Sequence, residues 1–543
     1  MVITTRDSDS EESIDSDSTR SAEESRDATE TTTDSSGETT VTRRAAMAVA
    51  GATGAGLLAG VGTAGGTDAS QSRRWKQDVD AQGHTLNDLG ALEMAGSEPI
   101  TDFAGEDLSI ESGVLRATND RDLLNNVRYV DVAEGADAVQ EAVDTADTDG
   151  HNKVVVYGDE GEWNRTVYLP SEFTLEILDG VTITSTMDES DTEVFHGGAA
   201  LITNDDHENG NHDITVRGGH IDFEGVDSDQ DGIRWGPVWL HTVDNALFDS
   251  ITVENVDWRY GIVFTDCTRS KIVDCLARNT GYDGITLRGT CEHVDVVRCS
   301  TYDNVNGPGI QAAPSIGEGG TGGHHLTFTD CRMDEHLAIH GVRGGITDVA
   351  IQGCSVRRIG IIQEVDGFRI SDCDVDTIAF SAFTGEIRNG RVDSCTMAPR
   401  YADHDAQIPA AVVLWTWAND LIENVSFSNC TARDLDKFVE CRILDETSVV
   451  RHIDFSNCAF DVGDGDEPRA FIEHTRDDDW VVDSVGELSN VRIHGCKIWN
   501  TDSVIQGEVD GVRIRLTEFH GVDEDALDDG DLTDLETHQN DWW

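Results

Sequence analysis

The sequence predicts an all-β solenoid, a parallel β-helix, and three observations carry that expectation. The first is a recurring phrase, an alternating apolar/polar strand that ends in cysteine: Lys271 to Cys275, Val294 to Cys299, Leu326 to Cys331, Val349 to Cys354, Phe368 to Cys373, Gly390 to Cys395, Val425 to Cys430, Ile453 to Cys458 and Val491 to Cys496. From Cys275 to Cys496 it recurs in eight steps of about 28 residues, and self-similarity at such a period marks a solenoid. The second is the alternation itself, typical of short strands, with Gly, Asn and Asp at the corners. The third is the near absence of helical periodicity across the repeats, which excludes helical arrays.

Each coil of such a solenoid buries its inner face only by stacking on its neighbours, about 4.8 Å apart. Equivalent residues then lie above one another, so the nine cysteines form an internal ladder. No Cys-x-x-Cys occurs, and the pairs Cys267/Cys275 and Cys291/Cys299 are eight residues apart. Zinc sites use closer spacing, so reduced, inert, buried thiols are expected.

The 543-residue chain carries 105 Asp plus Glu against 39 Lys plus Arg, a net charge of −66. Its lysines are Lys76, Lys153, Lys271, Lys437 and Lys497. An acid-rich, lysine-poor chain that is still 38% apolar resembles the proteins of salt-loving archaea, in which salt screens the self-repulsion. Nucleic acid and anionic membranes are excluded as partners, and most single acids serve solvation.

The first forty residues hold 18 Ser/Thr and 12 Asp/Glu and form a disordered segment, 1–41. Residues 42–70 follow, with Arg43-Arg44, the small apolar run Ala48 to Gly66 and small residues around Thr63. That order resembles a twin-arginine export signal and implies a secreted or surface protein without a membrane span in its mature form. Residues 71–127, including Asp78 to Gly90, are similar to the lead-in of tail-fibre and surface β-helix proteins. An acidic tail is expected over 523–543.

Between these lies the solenoid, 128–522. It opens on an amphipathic helix with Ala138, Val139, Ala142 and Val143 on one face, followed by strands at Lys153 to Tyr157, Thr166 to Leu169 and Phe173 to Ile177. With Gln140-Glu-Ala142, Val154 to Gly158 and Phe173 to Leu175, this part resembles the pectate-lyase-like superfamily, which includes pectate lyases, polygalacturonases and phage tailspikes. The resemblance implies a right-handed parallel β-helix with an N-terminal capping helix. It also allows a homotrimer.

Aligning coils on a recurring Gly-apolar step places Asp231, Tyr260, Asp283 and Pro308 in one column. Asp231 and Asp283 then lie two coils apart, roughly 9.6 Å, at the upper edge of the separation used by inverting glycosidases. Asp231 and Asp283 are the candidate catalytic acids. Arg288 joins them, and Arg234, Arg259, Tyr260 and Tyr282 are candidate substrate ligands: guanidinium forks pair with sugar carboxylates and tyrosines offer stacking faces. Asp-Gly is equally an ordinary turn. A lyase would use Arg288 or Arg259 beside Asp283 to stabilise an enolate, with Asp227, Asp229 and Asp231 available to calcium. Asn279 to Asp283 echoes the first acidic motif of polygalacturonases, without the rest of that family's set. His324, His325, His340 and Arg343 read as coil or loop residues, and Trp415 and Trp417 as a sugar platform or as packing. The expected function is action on acidic, uronate-containing polysaccharide by elimination or hydrolysis. The alternative is a non-catalytic surface adhesin or tailspike-like binding module.

Overall fold

A computed structural model describes residues 108–111, 114–117, 127–187, 200–223, 236–257, 259–313, 322–383, 385–399, 410–417, 419–462, 470–474, 486–507, 509–522, 532–533 and 536–542. The segments expected as a disordered acidic stretch and as a twin-arginine-type signal, and most of the expected lead-in, lie outside them. The chain divides into two compact units, Met1–Asn119 and Asp120–Trp543. In the first, Leu108–Glu111 pairs antiparallel with Val114–Ala117.

In the second unit the named strands pair in parallel, and each coil contributes a rung to three ladders. One ladder runs from Thr174–Ile177 through Thr215–Arg217, Leu247–Asp249 and Lys271–Val273 to Arg513–Arg515. A second runs from Glu160–Trp163 through Thr182–Ser185, His220–Asp222 and Thr252–Val256 to Glu518–His520. The third, which carries the site below, runs from Val167–Leu169 through Ile202–Asn204, Val238–His241, Ile262–Thr265 and Ile285–Arg288 to Ser503–Gln506. The expected solenoid is therefore present.

The ladder extends past the expected end. Glu536–His538 and Asp541–Trp542 pair in parallel with Arg513–Arg515 and Glu518–His520, so the segment read as an acidic tail supplies further rungs. The register continues with Thr537 beside Ile514 and Trp542 beside Phe519.

The helix, Gly135–Thr148, buries Ala136, Val139, Val143 and Ala146 in the common core. Its Gln140 accepts from the backbone N–H of Tyr168 at 2.7 Å and donates to that residue's carbonyl at 3.2 Å. One amide side chain thus satisfies both backbone groups that the strand Val167–Leu169 would otherwise leave open at its edge.

The cysteine phrase has a backbone cause. The residue before each ladder cysteine has positive φ: Asp274, Arg298, Asp330, Gly353, Asp372, Ser394, Asn429, Asn457 and Gly495. A left-handed residue turns the chain sharply between two sheets, which Gly, Asn and Asp tolerate best. The next side chain points inward at a crowded corner, where a small apolar group fits. All twelve cysteines are free thiols and all are buried. Asn457→Val is expected to destabilise by about 1–2 kcal/mol and Asn457→Gly by far less, read from denaturation midpoints.

Candidate functional site

The outer face of the third ladder alternates with the core. In the strand Val238–His241, Val238 and Leu240 point inward, and Trp239 and His241 outward. Register carries the pattern on: Trp239 lies beside Val263, Thr286 and Gln311, and His241 beside Thr265, Arg288 and Ala313.

Trp239, Tyr260, Val263 and Ala200 form a small apolar cluster on this outer face, with Tyr282 packed against it. Trp239 donates its indole N–H to Thr265 Oγ1 at 3.0 Å. Tyr260 and Tyr282 lie 5.8 Å apart between ring centroids. Arg288 donates to the Tyr260 hydroxyl at 3.0 Å, and its guanidinium sits 5.4 Å from the centre of that ring. The structure thus brings Tyr260, Tyr282 and Arg288 together and fixes the cation by hydrogen bond and cation–π contact.

Two other expected residues take different places. Asp283 is only 3% exposed, and its Oδ2 accepts from Thr286 Oγ1 at 3.0 Å. A Cβ on Gly307 would fall 2.3 Å from Asp283 Oδ1, so the carboxyl group is boxed in by the next coil. Arg259 is 1% exposed, with its guanidinium 5.7 Å from the centre of the Phe223 ring. Both side chains are buried within the coil.

Asp231, Arg234, Asp227, Asp229 and Trp258 lie outside the described residues. The column assigned to Asp231 is nevertheless corrected. The strand paired with Ile262–Thr265 is Val238–His241, so Gly236 occupies the position equivalent to Tyr260 and Asp283, and Pro237 that of Gly261. In that column Gly236 stands two coils from Asp283, and the expected pairing of Asp231 with Asp283 falls outside the described residues.

Further along the same face His340 follows Ala313, and burial lowers its pKa against an opposing hydrogen bond with Gln363. His336 is pushed down to about 4 by burial and by Arg358 and Arg357. Neither supplies a cation near neutrality. His324 and His325 lie at a coil corner, paired with Glu292 and Asp348. Among the described residues, Glu172, His212 and Asp213 bring possible metal-ligand atoms within 4.8 Å of one another. All three are exposed, and Asp213 already accepts from Asn245, which an exposed corner adopts without an ion.

Sequence reasoning missed a second cluster on this face. In the strand Lys437–Ile443, Val439 and Cys441 face the core and Glu440 faces outward, in register with Glu473 of Ala470–His474. Glu440 is 4% exposed and Glu473 9%. Lys437 contacts both carboxylates, Glu440 at 3.7 Å and Glu473 more closely. Arg442 donates to Glu440 Oε1 at 3.0 Å and lies 5.9 Å from the centre of the Trp415 ring. Phe383 meets Trp415 and Trp417 edge to face at 5.1 and 6.3 Å. Trp417 is 42% exposed, and its backbone N–H donates to the buried Asp420 at 2.8 Å. A repeated phrase could have signalled the pair: Phe438-Val-Glu440 and Phe471-Ile-Glu473.

No protein-family model matches the chain, and no curated protein matches it in sequence. Among solved structures, a double mutant of the tailspike protein of E. coli bacteriophage HK620 superposes with a TM-score of 0.52 at 12% identity, covering 80% of this chain and 82% of that one. A single mutant of the same tailspike in complex with a pentasaccharide gives 0.52 at 12% identity, over 81% and 83%. The catalytic domain of a GH87 alpha-1,3-glucanase, in complex with tetrasaccharides, gives 0.46 at 13% identity over 67% and 71%. At such identities the likeness is one of fold. Together with the three parallel ladders it shows that the chain is a right-handed parallel β-helix.

Proposed function

We propose that this protein is a secreted polysaccharide-active β-helix that takes acidic, uronate-containing glycans on the outer face of its third ladder. One observation carries the reading: Arg288 is held at that face by the hydroxyl and ring of Tyr260, beside the partly exposed Tyr282. A guanidinium so oriented pairs bidentately with a carboxylate, and a tyrosine ring stacks on the apolar face of a sugar. The glycan-bound tailspike neighbour shows that this fold can carry an oligosaccharide. The twin-arginine-type segment supports export. No helix among the described residues is long and apolar enough to cross a membrane.

Within this reading Arg288 and Tyr282 touch substrate, Tyr260 positions Arg288, and Asp283 and Arg259 hold the coil beneath them. Arg288→Ala is expected to weaken binding of uronate oligosaccharides about 10- to 100-fold, the worth of a charge-assisted hydrogen bond. Arg288→Lys should recover part of that loss, because it keeps the charge and loses the fork. Calorimetric titration with acidic and neutral oligosaccharides in molar salt makes the test. Equal binding of both, unaffected by the substitution, would remove the acidic-glycan reading.

A further inference from the structure

The Glu440/Glu473 cluster lies six coils from Arg288, about 29 Å along the ladder at the spacing of adjacent strands. It has features that packing alone does not require. Two acidic residues, Glu440 and Glu473, are buried on the outer face, although a chain with 105 acids has ample surface on which to keep them solvated. Burying such groups costs several kcal/mol each unless they are paired and hydrogen-bonded. Lys437 and Arg442 supply the pairing, yet Glu440 Oε2 has no hydrogen-bond partner among the described residues, and neither has the buried Nε1 of Trp415. Glu473 Oε2, ion-paired with Lys437, has no hydrogen-bond partner either, so the cluster leaves two carboxylate oxygens and one indole donor open beside the exposed Trp417.

We propose that Glu440 and Glu473 are the catalytic pair of a glycosidase that cleaves with retention of anomeric configuration; this deepens, and rests on, the polysaccharide-active reading above. Their spacing carries the stereochemistry. They occupy adjacent rungs and one ammonium reaches both, an arrangement that fits the short carboxyl separation of a retaining pair, about 5 Å, better than the wider one that admits a water between acid and base. Glu473, against Lys437, is the carboxylate nucleophile. Glu440 accepts from Arg442 through Oε1, and its Oε2, without a hydrogen-bond partner among the described residues, is the oxygen assigned to serve the leaving group.

In the first step a Glu473 oxygen bonds to the anomeric carbon. The glycosidic C–O bond breaks, its electron pair passes to the leaving oxygen, and that oxygen takes the proton from Glu440 Oε2. In the second step water attacks the anomeric carbon and gives a proton to the Glu440 carboxylate, and the bond to Glu473 breaks. One water is consumed and one hemiacetal released. Phe383 braces the indoles of Trp415 and Trp417, which supply stacking faces for the sugar next to the cleaved bond.

The test uses the full chain in molar salt with polygalacturonate, alginate, hyaluronan and laminarin. Wild-type protein should release reducing ends without unsaturated-uronate absorbance, and proton NMR of the first product should show the anomer of the parent bond. Glu473→Gln should lower kcat at least about 1,000-fold with binding retained. Glu440→Ala should lose about 100-fold or more on polysaccharide, and on an aryl glycoside, whose leaving group needs no acid, added azide should restore turnover as a glycosyl azide of retained configuration. Azide on Glu473→Ala should give the inverted azide. Inverted wild-type product, unsaturated product, or full activity in Glu473→Gln would overturn the proposal. So would glycan binding without any cleavage, an outcome that leaves the Arg288 reading standing. The product stereochemistry requires no variant, so a substitution that unfolds the protein does not rescue the proposal.

Discussion

Gly390→Val is expected to destabilise the central coils by more than about 3 kcal/mol, and Phe368→Ala by about 3–5 kcal/mol, whereas the double variant should recover much of the sum. Gly390 lies directly below Phe368 in one inward column, Val349, Phe368, Gly390, Val425, Ile453. A Cβ on Gly390 would fall 1.9 Å from Phe368 Cζ, because the ring of one coil occupies the volume that the next leaves empty. Neither residue can change size alone, since solenoid coils stack at fixed spacing and a core packed to solid density has no slack. Urea midpoints of the four proteins in a double-mutant cycle measure the coupling. Additive losses would show that the ring does not depend on that gap.

Alkali is expected to unfold the protein between about pH 9 and 12, well before backbone chemistry intervenes, with the thiol ladder as the cause. Cys354 and Cys373 are each pushed up to about 12, first by the thiol of the preceding coil and then by burial, and Cys291 to about 12 by burial. Burial also raises Cys267 and Cys441. A thiol with a raised folded-state pKa stabilises fully below its unfolded value, near 8.5, and that contribution is lost as pH rises through the folded value. Each displacement of this size is worth about 4 kcal/mol, so several thiols acting together would exhaust the stability of a typical domain. Denaturation midpoints from pH 7 to 11, in wild type and in a Cys354→Val/Cys373→Val variant, provide the measurement. The variant should show a shallower decline, and an identical decline would assign the effect to other groups. The native thiols should also resist aromatic disulfide reagents at pH 8 and react on unfolding.

The fold was legible because the β-helix writes its corners into the sequence. Asp274, Asn429, Asn457 and Gly495 must be left-handed, and Cys275, Cys430, Cys458 and Cys496 must be small and inward, so each coil repeats both demands. The partners of Arg288 were legible in part: Tyr260 and Tyr282 flank the same glycine step and do meet it in space. The register one coil earlier was not, because Asp231-Gly232-Ile233 and Gly236-Pro237-Val238 are competing phrases five residues apart. Only the pairing of Val238 with both Ile202 and Ile262 decides between them. The burial of Asp283 and Arg259 was not legible, since sequence does not show which polar residue the next coil will cover. Glu440 and Glu473 were hidden for the opposite reason. They stand 33 residues apart in a chain saturated with acids, and become a pair only when register stacks their strands.

The central claim, that the outer face of this β-helix processes acidic glycan, is tested most directly by incubating the full chain in molar salt with uronate-containing and neutral polysaccharides and counting new reducing ends over time. The account predicts reducing ends from an acidic polysaccharide, lost in Glu473→Gln and slowed at subsaturating substrate in Arg288→Ala. Neither cleavage nor binding of any acidic glycan would contradict it.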